Sequence, residues 1–207
     1  MDPGNVSAII SAVAGISGVL LGNSFVAIKE WWTNRNKVNQ ATTYLGIIVV
    51  SHLERFATGC LEVSLDDGTS QGQPAGEGGQ YVTTTTAPLF HPLELDVDWR
   101  LLPKYLMYSV LRLPDQQDQL HGRLGGIMEF NYDPPDHADF FWARRRGYAV
   151  LGLQASDIAK NLRSHAGLPA DKHHPGEWSR DQNMRDVIAH LDALEKSILR
   201  NANPHEL

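Results

Sequence analysis

The sequence predicts an all-α protein: an N-terminal transmembrane helix that continues into a cytoplasmic antiparallel bundle of about four helices. Three observations predict it. Val6 to Ile28 (VSAIISAVAGISGVLLGNSFVAI) run for 23 residues without a charge and are followed at once by KEWWTNRNK. Beyond them, apolar residues recur at alternating spacings of three and four, the period of a helix with one buried face. Strand-like composition is confined to short runs, chiefly YVTTTT, which cannot form a sheet alone.

The first segment, residues 1–28, is read as the anchor. At about 1.5 Å per residue, its 23 uncharged residues reach roughly 34 Å, enough for a ~30 Å hydrocarbon core with modest tilt. Fifteen of the 23 are Ala, Val, Ile, Leu or Phe, so the flanks have to support the assignment. Trp31 and Trp32 fall where an aromatic belt would lie, and Lys29, Arg35 and Lys37 place basic charge beside them. On the other side only Asp2 and the amino terminus are charged. The positive-inside rule then puts the N-terminus outside and everything after Lys29 in the cytoplasm, with membrane lipid as the first partner.

Two other readings compete. A cleaved signal peptide needs a basic n-region and a small-x-small cleavage site, and MDPGN has no basic side chain. A soluble helical protein with this helix buried is the second, and the glycines and serines do not argue against it. Ser11, Ala14, Gly18 and Gly22 recur at spacings of three and four, and Gly18 with Gly22 makes a GxxxG. In lipid such a stripe lets two backbones approach closely, which points to a homo-oligomer or a partner helix. Small residues are also common in transmembrane helices generally.

The 207 residues, less the anchor, leave about 180, enough for one domain with a sizeable core. A net charge of −6 provides no global basic field, so nucleic acid is not an expected partner. The single cysteine, Cys60, excludes an internal disulfide framework and suits a reducing compartment.

Residues 29–66 read as a juxtamembrane segment and first bundle helix. Val38, Thr42, Leu45, Val49, His52, Phe56, Gly59 or Cys60, and Val63 form its seam, and no proline interrupts the chain between Pro3 and Pro74. One rod from about Asn5 to Leu65 is therefore expected, closed by Asp66-Asp67-Gly68. Residues 67–98 read as a flexible Gly-rich loop with a short extended segment; DGTSQGQPAGEGGQ has five glycines. YVTTTT is expected either to pack extended against the bundle or to make a hairpin with LELDV. A connection this long is usually functional or disordered.

Residues 99–207 supply the remaining helices. Trp99, Leu102, Leu106, Val110 and Leu113 share a face, with Pro103 suited to a first turn. Pro114 is expected to start, or kink into, a further helix carrying Leu120, Leu124, Ile127 and Phe130. From Asp136 to His165 the stripe is Phe141, Arg144, Tyr148, Leu151, Ala155, Ile158 and Leu162, interrupted only by the arginine. Ser179 with Gln182 makes a capping box before a last stripe of Met184, Val187, Leu191, Leu194 and Ile198.

No assembled chemistry is visible. The chain has no GxSxG, Walker A, GxGxxG-helix or HExxH motif, and no ExxH from which a di-iron bundle could be built. Asp118 and His121 stand three apart with no second pair to answer them, and read as solvated polar residues. His165, Asp171, His173 and His174 read as a polar loop. Asp133, Asp136, His137 and Asp139 read as a helix-capping cluster, without the spacing of an EF-hand. Arg144-Arg145-Arg146 spans about 200° of helix and cannot form one face; it reads as a solvated or paired cluster, with Asp136 and Asp139 available to pair, the alternative being contact with anionic headgroups or a partner. His52 reads as a hydrogen-bonded core histidine. No catalytic residue, metal or cofactor is therefore expected.

The order of these features resembles a set of uncharacterised bacterial single-pass membrane proteins. The likeness is carried by the span ending in WW and basic residues, LERFATGC, DWRLLPKYLMYSVLRLP, and DPPDHADFFWARRRGYAVLGLQASDIAKNLRSHAGLP. It covers most of the chain, and its motifs are structural rather than catalytic. It implies the bacterial inner (cytoplasmic) membrane as the address, and no activity. The function expected from the sequence is a membrane-tethered helical scaffold that recruits an unidentified cytoplasmic protein. The alternative is a membrane-active effector or sensor whose cytoplasmic domain gates assembly of the span.

Overall fold

A computed structural model describes the backbone of residues 3–170 and 177–202, and the side chains of 29–33, 35–170, 177–198 and 200. The chain divides into two compact units, residues 1–43 and 44–207. Its helices are α1 (Pro3–Leu65), α2 (Lys104–Phe130), α3 (Ala138–His165) and α4 (Arg180–Ala202). The only sheet among the described residues pairs β1 (Thr69–Ser70) with β2 (Gln73–Pro74). The expectation of an all-α chain holds, with four α-helices described.

Within the second unit, α3 is the central element. Phe141, Ala143, Tyr148, Leu151, Ala155, Ala159 and Leu162 are all buried on it, so three neighbours cover it. One cluster joins Leu45, Val49, Leu53, Phe56, Cys60 and Val63 of α1 to Val110, Leu113 and Leu124 of α2 and to α3. A second joins Leu61, Ala149, Met184, Val187 and Leu191, and seats α4. The predicted seam of α1 is therefore core from Leu45 onward, as the three-four spacing requires. Two positions depart from the reading. Val38 is exposed, and His52 is half-buried at the edge of the seam rather than in the core.

Contacts fix the directions. Gly46 lies against Ala166, Cys60 against Gly152, and Ser64 receives Arg145, so α1 and α3 run antiparallel. Ser156 meets Asp181 and Trp142 meets Leu191, so α3 and α4 are antiparallel too. The short connection 131–137 folds α2 back on α3, with Leu120 against Gly147. It follows that residues 44–65 of α1 and all of α2 point the same way. Residues 66–103 must therefore return the chain along the bundle before α2 can start. They do so beside α1: Thr84 and Thr85 bond Asp66, Pro88 lies on Gly59, and Phe90 packs on Phe56.

This return explains the length that looked anomalous in the sequence. The hairpin within it is not the one expected between YVTTTT and LELDV. Gln71 (φ 52°) and Gly72 (φ 76°) form a two-residue turn with both φ positive, which matches strand twist and closes Thr69-Ser70 on Gln73-Pro74 instead. YVTTTT packs extended, held by Tyr81 N–H to the Pro135 carbonyl and by the Asp66 bonds. Pro114 neither starts nor splits a helix, because α2 continues through it from Lys104 to Phe130.

Asp66 fastens the start of the return. Its carboxylate accepts from Gly68 N (3.1 Å), Thr84 N (2.9 Å), Thr84 Oγ1 (2.8 Å), Thr85 N (3.0 Å) and Arg144 Nη1 (2.8 Å). Arg144 also donates Nη2 to the Thr85 carbonyl at 2.6 Å. Both side chains are buried, 1% and 5% exposed, and a buried charge is tolerated only when paired and fully hydrogen-bonded. The arginine run is thus paired with different groups from those expected. Asp136 and Asp139 are not its partners: Arg144 takes Asp66, Arg145 the Ser64 carbonyl and Arg146 Asp192.

Candidate functional site

Of the residues singled out in the sequence, the helix-pairing set Ser11, Ala14, Gly18 and Gly22 lies outside the residues whose side chains are described. So does Val6 to Ile28 as a whole. Among the described residues no helix is long and apolar enough to cross a membrane. Lys29, Trp31, Trp32, Arg35 and Lys37 are all exposed on α1. The indoles of Trp31 and Trp32, 57% and 62% exposed, meet edge-on at 6.4 Å. The Arg35 guanidinium lies 5.2 Å from the Trp31 ring centroid, one helical turn on, a cation–π pair at an exposed site.

The histidine candidates separate. Asp118 and His121 are both exposed, as solvated polar residues are, and His121 Nε2 is in addition hydrogen-bonded to the Tyr148 hydroxyl. Burial pushes the Tyr148 phenol up from its ordinary range, so this pair does not supply a phenolate at neutral pH. His137 sits at the N-cap of α3 with φ 46° and stacks on Tyr132 at 5.0 Å. Asp171, His173 and His174 lie outside the described residues. Among the described residues no group of three or more His, Cys, Asp or Glu could hold a metal ion. Cys60 is buried, and desolvation pushes its thiol far up.

A concavity lined by charges from three helices was not anticipated. It lies where α1, α3 and the start of α4 meet, has a volume of about 750 Å³, and is lined by Glu54, Lys160, Arg163, Arg180 and Asp181 with Trp178 and several hydroxyls. Helical spacing builds each wall. Glu54 and Thr58 lie one turn apart on α1, and Ser156, Lys160 and Arg163 follow on one face of α3. The capping residue Ser179 accepts from Gln182 N at 3.3 Å and sets the start of α4, which brings Arg180 and Asp181 over that face.

The charges tie the three helices together. Arg163 is paired with Glu54, Lys160 Nζ donates to Asp181 at 2.7 Å, and Arg180 bonds the Glu54 carbonyl at 3.0 Å and Ser156 Oγ at 2.8 Å. Burial by itself raises the Asp181 carboxyl, but the bonds from Lys160 and Ser156 outweigh it and hold it below the usual carboxylate value. The Asp181 hydrogen bond in turn raises Lys160. Both groups are therefore charged at neutral pH. Sequence reasoning missed this site because its members span residues 54 to 181 with no motif among them. The capping box at Ser179 was the one local sign of where two of them would sit.

No family model, curated protein or solved structure matches this chain.

Proposed function

We propose that the chain is a membrane-tethered helical interaction module, anchored by residues 6–28 in a bacterial inner membrane with the N-terminus outside. On this reading the bundle in residues 44–202 is cytoplasmic and recruits a protein partner, and the kinship is with bacterial single-pass membrane proteins. The observation that carries the proposal is the join. A 23-residue uncharged stretch is followed directly by exposed Lys29, Trp31, Trp32, Arg35 and Lys37, the composition of a membrane–water interface. Further support is that α1 is a single helix from Pro3 to Leu65 whose last turns are core of the bundle. Pairing through Ser11, Ala14, Gly18 and Gly22 would make the anchored form an oligomer.

The test is fractionation of cells expressing the full-length chain. Retention in the membrane pellet after an alkaline carbonate wash is expected, as is release when residues 1–28 are deleted. Recovery of the full-length chain in the soluble fraction would sink the proposal and leave the soluble helical alternative. Cross-linking in detergent should show a dimer or higher species that Gly18→Leu with Gly22→Leu removes.

A further inference from the structure

We infer that the cleft between α1, α3 and α4 binds an organic phosphomonoester, with the phosphate among Lys160, Arg163 and Arg180 and an attached ring against Trp178. The chain as a whole carries −6, yet this concavity is lined by three cations and two carboxylates, with Asp157 pairing Lys160 from beside it. Its volume, about 750 Å³, lies within the roughly 300–1,000 Å³ of small-molecule sites.

The donors are not used up. An ammonium has three N–H bonds and a guanidinium five. Lys160 gives one to Asp157 and one to Asp181, and keeps one. Arg163 spends two on Glu54 and one on the Pro169 carbonyl, and keeps two. Arg180 bonds the Glu54 carbonyl, Thr58 Oγ1 and Ser156 Oγ, and keeps two. One of these, Nε, is buried without a hydrogen-bond acceptor, its nearest carboxylate oxygen being Asp181 Oδ1 at 3.5 Å. A buried donor in that state calls for an acceptor.

A carboxylate offers two oxygens, whereas a phosphomonoester offers three terminal oxygens and nearly two charges, which suits donors converging from three residues. Ser164 adds a hydroxyl on the α3 wall, whereas the O–H groups of Ser156 and Thr58 are already given to Asp181 and to the Glu54 carbonyl. Leu168, Ala170 and the indole of Trp178, which is 69% exposed, give the cleft an apolar rim. An exposed indole beside a phosphate site is a stacking surface for a ring on the ester.

Calorimetric titration of the full-length chain in mild detergent with phenyl phosphate tests this. Saturable one-to-one binding is expected, weakened about tenfold in Lys160→Gln, a loss of one charge-assisted bond. Trp178→Ala should weaken phenyl phosphate and leave inorganic phosphate unchanged. Lys160→Gln keeps an N–H donor for Asp181, and an unchanged circular dichroism spectrum at the titration temperature checks that the bundle stays folded; Arg163→Lys, which keeps the charge but loses the fork, should also weaken binding. Phosphatidic acid in the micelle competing with phenyl phosphate would assign the same phosphate chemistry to a lipid headgroup. No saturable heat at millimolar phenyl phosphate, or wild-type affinity in both Lys160→Gln and Arg163→Lys, would overturn the inference. Membrane retention of Lys160→Gln should equal wild type, so failure here is separable from failure of the anchoring proposal.

Discussion

Replacing Asp66 by alanine should be among the most damaging single changes in the bundle, and more damaging than replacing its partner. The carboxylate joins the end of α1 to Thr84 and Thr85 of the return segment and to Arg144 of α3. Its loss leaves a guanidinium that is 5% exposed with only the Thr85 carbonyl to accept from it. Breaking a buried pair in this way costs roughly 3–5 kcal/mol. Arg144→Met is milder, because Asp66 keeps four donors from Gly68, Thr84 and Thr85. A cost of about 1–3 kcal/mol is expected there. In the double variant no buried charge is stranded, so its cost should fall short of the sum by at least about 1 kcal/mol.

Urea unfolding of the full-length chain in mild detergent, followed by circular dichroism, reads these differences as midpoint shifts. A pH series checks the same clamp. Burial alone raises the Asp66 carboxyl, but the bonds from Thr84, Gly68, Thr85 and Arg144 together outweigh it and hold it below 3.8. A carboxyl depressed in the folded state adds stability above its unfolded value of about 3.9, and that stability is lost as pH falls through the lower folded value. The acid limb of stability below about pH 4 should therefore be shallower in Asp66→Asn than in wild type. Additive single-variant costs, or an Asp66→Ala cost under about 1 kcal/mol, would refute the assignment of this pair as the clamp.

Two further changes test the packing around α3. A methyl group on Gly152 would lie 2.5 Å from Met184 Sδ and 2.8 Å from Cys60 Cβ. Gly152→Val should therefore destabilise by ~1–3 kcal/mol through over-packing, outweighing the gain of about 0.3 kcal/mol in helix propensity when glycine becomes valine. A raised urea midpoint would contradict that contact. Cys60 is 0% exposed and its thiol is pushed up by burial, so a thiol reagent should react only at the rate of bundle opening. Rapid stoichiometric labelling of native protein would show that α1 does not pack as described.

Local pattern carried the helices. The stripe on α3 from Phe141 to Leu162 is buried or half-buried at every position, because a 3.6-residue period and one apolar face are properties of a short window of sequence. Arg144, the one charge that interrupts that stripe, is buried with it, which the period alone did not show. Its partner was not legible. Asp66 is 78 residues away, while Asp136 and Asp139 are near in sequence and equally acidic, so proximity along the chain favoured the wrong groups. The last stripe shows the converse limit: Leu194 and Ile198 keep the period of α4 but stand 44% and 67% exposed, since periodicity says which residues share a face and not whether a neighbour covers it.

What the sequence determined by itself is the all-helical class, the capped start of α4 and the order of segments, all of which follow from interactions within a few turns. The tertiary structure decided that residues 44–65 and α2 point the same way. That direction makes the 66–103 connection a return strap pinned by a buried ion pair. The tertiary structure also decided that Glu54, Lys160, Arg163, Arg180 and Asp181 share one cleft. Both outcomes depend on which helix faces pack together, and that choice is made by burial of apolar area summed over the whole core rather than by any local run of residues.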